Sequence, residues 1–338
     1  MPSRLPSTVF VLALGALAGF PAGAEESAFH RSIRVEGRHF LNASGEPVVF
    51  RGVSFSDPDK LERAGRWNAR YFDEAKAWGA NIVRFPVHPR AWRVRGTTDY
   101  LALMDQGVVW ARERGLAVVV DWHTIGNLRT GLFQHPMYDT SVTETLQFWR
   151  EVSRHYADDP TVVFYELYNE PTTYQGQLGR LSWPQLKDLY EEMIGVIRAH
   201  DASSLVLVAG RDWAYELREV LEDPIDASGV GYVSHPYPQK RERPWEPKWE
   251  ESWGHVAQRY PVFVTEFGFE SGGHVPTDGT AEYGRAILDF MAGRGISWTA
   301  WCFDPDWSPT LIRDWDFTPT EQGAFFRAAL RGEPSPAE

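Results

Sequence analysis

The chain lacks most of the devices that stabilise or equip a protein from outside its own core. It holds a single cysteine, Cys302, so no intramolecular disulfide can form and stability has to come from packing. Cys302 itself is expected to be a small buried apolar side chain. No His-Glu-x-x-His or Cys-x-x-Cys occurs, which removes the usual zinc spacings. Asp304, Asp306, Asp314 and Asp316 cluster without the spacing of a calcium loop, and a solvated loop is expected there. No Gly-x-Gly-x-x-Gly turn follows an early strand, which speaks against a doubly wound dinucleotide fold. The expectation is therefore no metal and no cofactor. Positive charge is also scarce, with 34 basic against 46 acidic residues and a net charge of −12. That balance argues against nucleic acid or an anionic membrane as partner. A neutral polymer is compatible with it.

Long apolar runs are missing except at the start. Arg4, the run Val9 to Phe20, Pro21 and the small residues Ala22-Gly23-Ala24 have the layout of a secretory leader. The run is shorter than the roughly 20 residues that span a bilayer. Residues 1–24 are read as a signal peptide and 25–338 as one domain. The mature protein is expected to be secreted, extracellular or periplasmic, monomeric and free of the membrane.

The remaining chain alternates short apolar runs with longer amphipathic ones. Ile33–Val35 and His39–Leu41 flank Glu36-Gly37-Arg38 as a β-hairpin. Eight strands are expected at Val48–Ser54, Asn81–Phe85, Ala117–Asp121, Val162–Leu167, Leu205–Ala209, Gly231–Ser234, Val262–Thr265 and Ser297–Trp301. They are continuously apolar, as parallel strands covered on both faces are. Helical patterns lie between them at Asn68–Trp78, Tyr100–Arg114, Thr140–Tyr156, Trp183–His200 and Thr280–Arg294. Ser182 and Pro184 mark one helix start, and Gly79 and Gly115 mark two helix ends. Eight βα units predict an α/β fold, a single-domain (β/α)₈ TIM barrel with an N-terminal hairpin.

Two glutamates stand out against this pattern. Glu170 follows the run Phe164 to Tyr168 in Asn169-Glu170-Pro171, and Glu266 follows Val262-Phe263-Val264 in Thr265-Glu266-Phe267-Gly268. A carboxylate at the end of a buried strand is costly unless used or paired. Two of them over one cleft suggest an acid and a nucleophile, the pair that cleaves glycosidic bonds. In such barrels the site lies at the C-terminal strand ends. There the chain also carries Arg84, His123, His235, Tyr237 and Trp301. The 15 tryptophans suit either core filling or flat faces for sugar rings. Trp122, Trp213, Trp245, Trp249, Trp253 and Trp307 are open to both readings.

From Arg51-Gly52-Val53 to Trp301, these residues resemble glycoside hydrolase family 5, the cellulase family of retaining (β/α)₈ glycosidases. Asn169-Glu170-Pro171 and Thr265-Glu266-Phe267-Gly268 are the most specific pieces. The resemblance implies Glu170 as acid/base and Glu266 as nucleophile. It places Arg84, His123, Asn169, His235, Tyr237 and Trp301 at the substrate-binding positions. Arg84 and Tyr237 would then keep Glu266 ionised and oriented, and Asn169 would donate to a sugar 2-hydroxyl. The implied activity is hydrolysis of internal bonds in a β-linked polysaccharide or oligosaccharide, first of all β-1,4-glucan. Mannan, xyloglucan and β-1,3-glucan are alternatives. A non-catalytic sugar-binding barrel would need a damaged Glu170 or Glu266, and both are present.

Overall fold

The computed structural model describes residues 33–157 and 159–334. The expected leader lies outside the described residues, as does the last part of the Pro-rich ending. Eight parallel strands close into one barrel. They are β1 (Arg51–Ser54), β2 (Ile82–Val87), β3 (Ala117–Trp122), β4 (Val162–Glu166), β5 (Leu205–Ala209), β6 (Val230–Val233), β7 (Val262–Val264) and β8 (Ser297–Ala300). β8 pairs with β1 through Trp298↔Arg51 and Thr299↔Gly52, and β4 pairs with β5 through Phe164↔Leu205, so the barrel is closed without an edge strand. Gly52 is required where β1 meets β2, because a Cβ there would fall 1.8 Å from the carbonyl oxygen of Ile82.

The helices wrap the outside. They are α1 (Ala69–Ala77), α2 (Thr97–Glu113), α3 (Val142–Tyr156), α4 (Trp183–Arg198), α5 (Trp245–Ser252), α6 (Ala281–Ala292) and α7 (Glu321–Arg331), with shorter turns between. α3 shows why the sequence goes helical. Ser141 accepts from the Glu144 amide as N-cap, and Phe148, Trp149, Val152 and Tyr156 fall on one buried face. α4 starts on the expected Ser182, whose side chain forms a capping box with Gln185. α7 was not anticipated from the sequence. Its apolar face is short, and it is set by Thr320 as cap with Phe325 and Phe326 buried.

Within each strand, alternate residues face opposite ways. Val83, Phe85, Val118, Val120, Val206, Val208, Val262 and Val264 join the outer layer under the helices. Ile82, Val119, Phe164, Leu207, Val233 and Phe263 fill the inner barrel floor. The hairpin (Arg34–Glu36 and His39–Leu41) pairs on with Pro47–Val48 and caps this floor from below. Its Phe40 meets Phe164 edge-on at 5.0 Å, and Phe50 and Phe263 meet Phe164 at 5.2 and 5.6 Å.

Two expectations are corrected. The run Val48–Ser54 is not one strand. Pro47–Val48 belongs to the hairpin sheet, and the chain then turns Phe50 into the floor, where Ser297 Oγ takes its amide at 3.0 Å. The aspartate cluster after β8 is not simply a solvated loop. Asp304 is fully buried and accepts from Ser56 Oγ and Lys60 Nζ, both at 2.5 Å. Lys60 also binds Asp306 at 2.9 Å, which ties this loop back to the chain after β1. Asp316 stays exposed.

Candidate active site

Two residues above the apolar floor, the same inward register turns ionic. Arg84 on β2 stands two residues after Ile82, Asp121 on β3 two after Val119, and Glu166 on β4 two after Phe164. Arg84 is the hub and is fully buried. Its guanidinium grips Glu166 with two bonds (2.7 and 3.1 Å) and donates to Glu266 (2.8 Å) and Asn169 Oδ1 (2.6 Å). It also meets Asp121 at 2.9 Å. A planar five-donor fork is the side chain that can satisfy several carboxylates at once.

The two conspicuous glutamates face each other above this hub. The Tyr237 hydroxyl donates to Glu266 Oε2 at 3.1 Å. His235 places Nδ1 3.0 Å from Glu170 and Nε2 2.9 Å from the Thr265 hydroxyl, which itself donates to Glu166 at 2.8 Å. One ligand atom each from Glu170, His235 and Glu266 fall within 4.8 Å of one another. Glu170 and Glu266 retain 7% and 5% of their surface while Arg84, Glu166 and Asp121 retain none. The first two therefore reach the cleft and the others lie beneath it.

Burial and mutual charge set the protonation of this cluster. Burial would raise Glu166, but the Arg84 charge and the hydrogen bonds of His235 and Arg84 overcome it and push the group down to about 2. Burial raises Glu266, with Glu170 and Glu166 adding to it and His235 and Arg84 pulling the other way. Asp121 is held well above the usual carboxylate range by burial, against the pull of Arg84. Burial would depress His235, yet the Glu266 charge and bonds to Glu166 and Glu170 lift it to about 9. His123 goes the other way, pushed well down by burial and by the neighbouring His88, Arg84 and His235. Four carboxyl groups thus face two cations, Arg84 and protonated His235.

Aromatic rings wall the cleft of about 650 Å³, whose lining includes both glutamates with His123, Tyr138, Tyr237 and Trp301. Trp301 lies parallel to His123, ring centres 5.5 Å apart, and continues into Trp307 at 6.0 Å. His123 is anchored by Asp121 at 2.7 Å. Every residue named from the sequence (Arg84, His123, Asn169, Glu170, His235, Tyr237, Glu266 and Trp301) thus converges on one site. Among the tryptophans left open, Trp122, Trp249 and Trp253 are fully buried packing, whereas Trp213 and Trp307 line cavities at the mouth. Sequence reasoning gave no role to Glu166, Asp121 or Thr265. The cost of a carboxylate inside an apolar run, which singled out Glu170, applies equally to Glu166 and Asp121. His88 was passed over too. It is buried against Asp57 (Nδ1 to Oδ2, 2.8 Å) and packs edge-on to His123 at 4.7 Å.

Glu170, His235 and Glu266 are also the residues that could hold a cation. Their atoms are already engaged with each other, with Tyr237 and with the Arg84 guanidinium 2.8 Å from Glu266. A metal there would have to displace or repel a fixed positive charge.

Comparison with known proteins agrees with this fold. The solved β-glucanase from Saccharophagus degradans, in complex with cellotetraose, superposes with a TM-score of 0.88 at 41% identity, covering 94% of this chain and 98% of that one. Endoglucanase E-5 of Thermobifida fusca is 30% identical over 81% of this chain, and endoglucanase A of Butyrivibrio fibrisolvens 25% over 78%. The chain spans about half the length of these two curated relatives, 56% of each. The family model for cellulase (glycosyl hydrolase family 5) matches residues 41–306, the stretch that holds the barrel, the Arg84 hub and both glutamates, and the chain belongs to that family.

Proposed function

We infer that the protein is a secreted, retaining endo-β-glycosidase that cuts internal bonds of β-1,4-linked glucan. Glu266 acts as nucleophile and Glu170 as acid/base. The observation that carries this reading is the approach of the two carboxyl groups, with one atom of each inside a 4.8 Å cluster. Retaining enzymes hold the pair about 5–5.5 Å apart, whereas inverting ones leave about 6.5–9.5 Å for a water between them. The relatives named as endoglucanases and the β-glucanase solved with cellotetraose support the substrate.

The surroundings divide the roles. Glu266 is held by Arg84 and Tyr237, donors that favour its ionised form. Its oxygen attacks the anomeric carbon as the bond to the leaving sugar breaks, and the Glu170 proton passes to the departing oxygen. Water then gives a proton back to Glu170 and its hydroxyl to the anomeric carbon, releasing Glu266. Asn169 Nδ2 is buried without a partner among the described residues, because its oxygen is taken by Arg84. It is free to donate to the sugar 2-hydroxyl. The flat face of Trp301 supports the ring being cleaved.

NMR of fresh product tests the reading. The first sugar released keeps the β-configuration. An α-product would overturn the double displacement. The convergence of Glu170, His235 and Glu266 favours one rival, a metal-assisted hydrolysis. Activity is expected to survive exhaustive chelation, and its loss with recovery on added divalent cation would favour the metal.

A further inference from the structure

On the Glu170 side of the cleft the backbone takes an unusual path. Between β5 and β6 the place of a regular helix is taken by a tight turn. Asp212 (φ 58, ψ 55), Trp213 (φ 56, ψ 57) and Ala214 (φ 59) are consecutive left-handed residues. None is glycine, so each resists this conformation and the surroundings must hold it. Part of the hold is local, since Arg211 and Glu216 exchange backbone bonds at 3.1 and 2.8 Å. Part reaches the site, where the His235 amide donates to the Ala214 carbonyl at 3.1 Å.

The rest comes from Lys240, on the turn just after Tyr237. Its ammonium donates to the carbonyl of Asp212 at 3.0 Å and sits 3.5 Å from that of Trp213. It also lies over the Trp213 ring, 4.8 Å from its centre. One cation thus holds both the backbone and the indole of the same residue. Arg241 backs it, stacking on Tyr215 at 4.3 Å and facing Asp212 and Glu216. The Trp213 ring is further braced edge-on by Tyr174 at 5.7 Å. Trp213, Tyr174 and Lys240 all line the same cleft as the two glutamates. Burial pushes the Lys240 ammonium down, against the pull of Glu170 and Asp212. A free surface lysine would feel neither.

We propose that Lys240 is a positioning residue for the leaving-group side of the cleft. It holds Trp213 as the platform for the sugar that departs beside Glu170. This rests on Glu170 being the acid, since the leaving group lies on the acid's side of the scissile bond.

The test compares two substrates of the full chain. A cello-oligosaccharide long enough to fill both sides needs the platform. A β-cellotriosyl fluoride carries no sugar on the leaving side and does not. Lys240→Met keeps the volume and removes the charge. It is expected to lower kcat/KM on the oligosaccharide about tenfold, the order of a desolvated cation–π contact, and to change fluoride hydrolysis less than twofold. Lys240→Arg should restore most of the loss. Trp213→Ala should show the same split, and the double variant should be no worse than Trp213→Ala alone. Equal losses on both substrates, no loss on the oligosaccharide, or additive losses would each overturn the proposal. The acid assignment fails separately, if Glu170→Ala loses the first-turnover burst of fluoride release as fully as it loses oligosaccharide hydrolysis. The contrast produced by Lys240→Met does not depend on that outcome.

Discussion

The floor and the mouth of this barrel are built by the same inward-facing positions, two residues apart, and follow opposite rules. On the floor, Ile82, Val119, Phe164 and Phe263 join one apolar cluster with Phe40 of the capping hairpin. Transfer of those surfaces from water stabilises the fold. At the mouth, Arg84, Asp121, Glu166 and Thr265 are equally buried and carry charge or hydroxyls. Desolvating such groups costs several kcal/mol per ion, offset only by their mutual bonds. A single β2 or β4 strand therefore contains both a stabilising and a costly layer. The costly one reaches both glutamates, Glu266 through Arg84 and Glu170 through Thr265 and His235.

Removing Glu266, the proposed nucleophile, should produce the widest separation between floor and mouth. Glu266→Gly should cost on the order of 10⁴–10⁶ in kcat while the melting temperature holds or rises, since burial already disfavours this carboxylate. Azide should restore turnover with inverted product. The same reagent should give retained product in Glu170→Ala with an activated leaving group. One anomer from both variants would mean the roles are misassigned.

Phe164→Ala attacks the floor of the same strand that carries Glu166. A loss of about 3–5 kcal/mol is expected, read by denaturant melts, with kcat on the surviving folded enzyme changed only a few-fold. A selective loss of kcat without loss of stability would show that the floor tunes the chemistry. Arg84→Met is the case in which the contrast should collapse. It strands Glu166, Asp121 and Glu266 without their cation, so both activity and about 3–5 kcal/mol of stability should go together.

The pH dependence of stability reads the mouth alone. His235 rises to about 9 from 6.5. Its contribution is complete below pH 6.5 and is lost as pH rises through about 9, on the order of 3 kcal/mol. Glu166, lowered from 4.5 to about 2, contributes fully above pH 4.5, and that contribution is lost as pH falls through about 2. Denaturation midpoints should fall on the alkaline side between these His235 values, and His235→Asn should flatten that slope. Activity should fall on the acid side as Glu266 is protonated, at a pH above the ordinary glutamate range. The smallest effect is expected far from both layers. Ser182→Ala removes the α4 cap and should cost about 1 kcal/mol with no change in turnover.

The eight apolar runs were legible as strands because parallel strands covered on both faces admit little but Val, Ile, Leu and Phe. Seven of them lie within a residue or two of where they were expected. The run at Val48–Ser54 misled because nothing local says that Phe50 leaves the strand to plug the floor. The aspartates after β8 misled in the same way, since the partners that bury Asp304, Ser56 and Lys60, lie far away in the chain. Glu170 and Glu266 were legible because each ends an apolar run beside a distinctive neighbour.

What the sequence determined by itself was the period of the chain and the chemistry of its strand ends. Eight βα units without a dinucleotide-binding turn predict a closed parallel barrel, and a closed barrel gathers all C-terminal strand ends at one mouth. Only the tertiary structure decided which residues of a uniformly apolar strand face inward. That choice depends on closure and stagger, not on local composition. It placed Asp121, Glu166 and Thr265 under the glutamates, and it brought Lys240 from the loop after β6 against the Trp213 turn after β5. Charges buried together shift one another's protons, so the acid–base character of the site belongs to the assembled cluster and to no single stretch of chain.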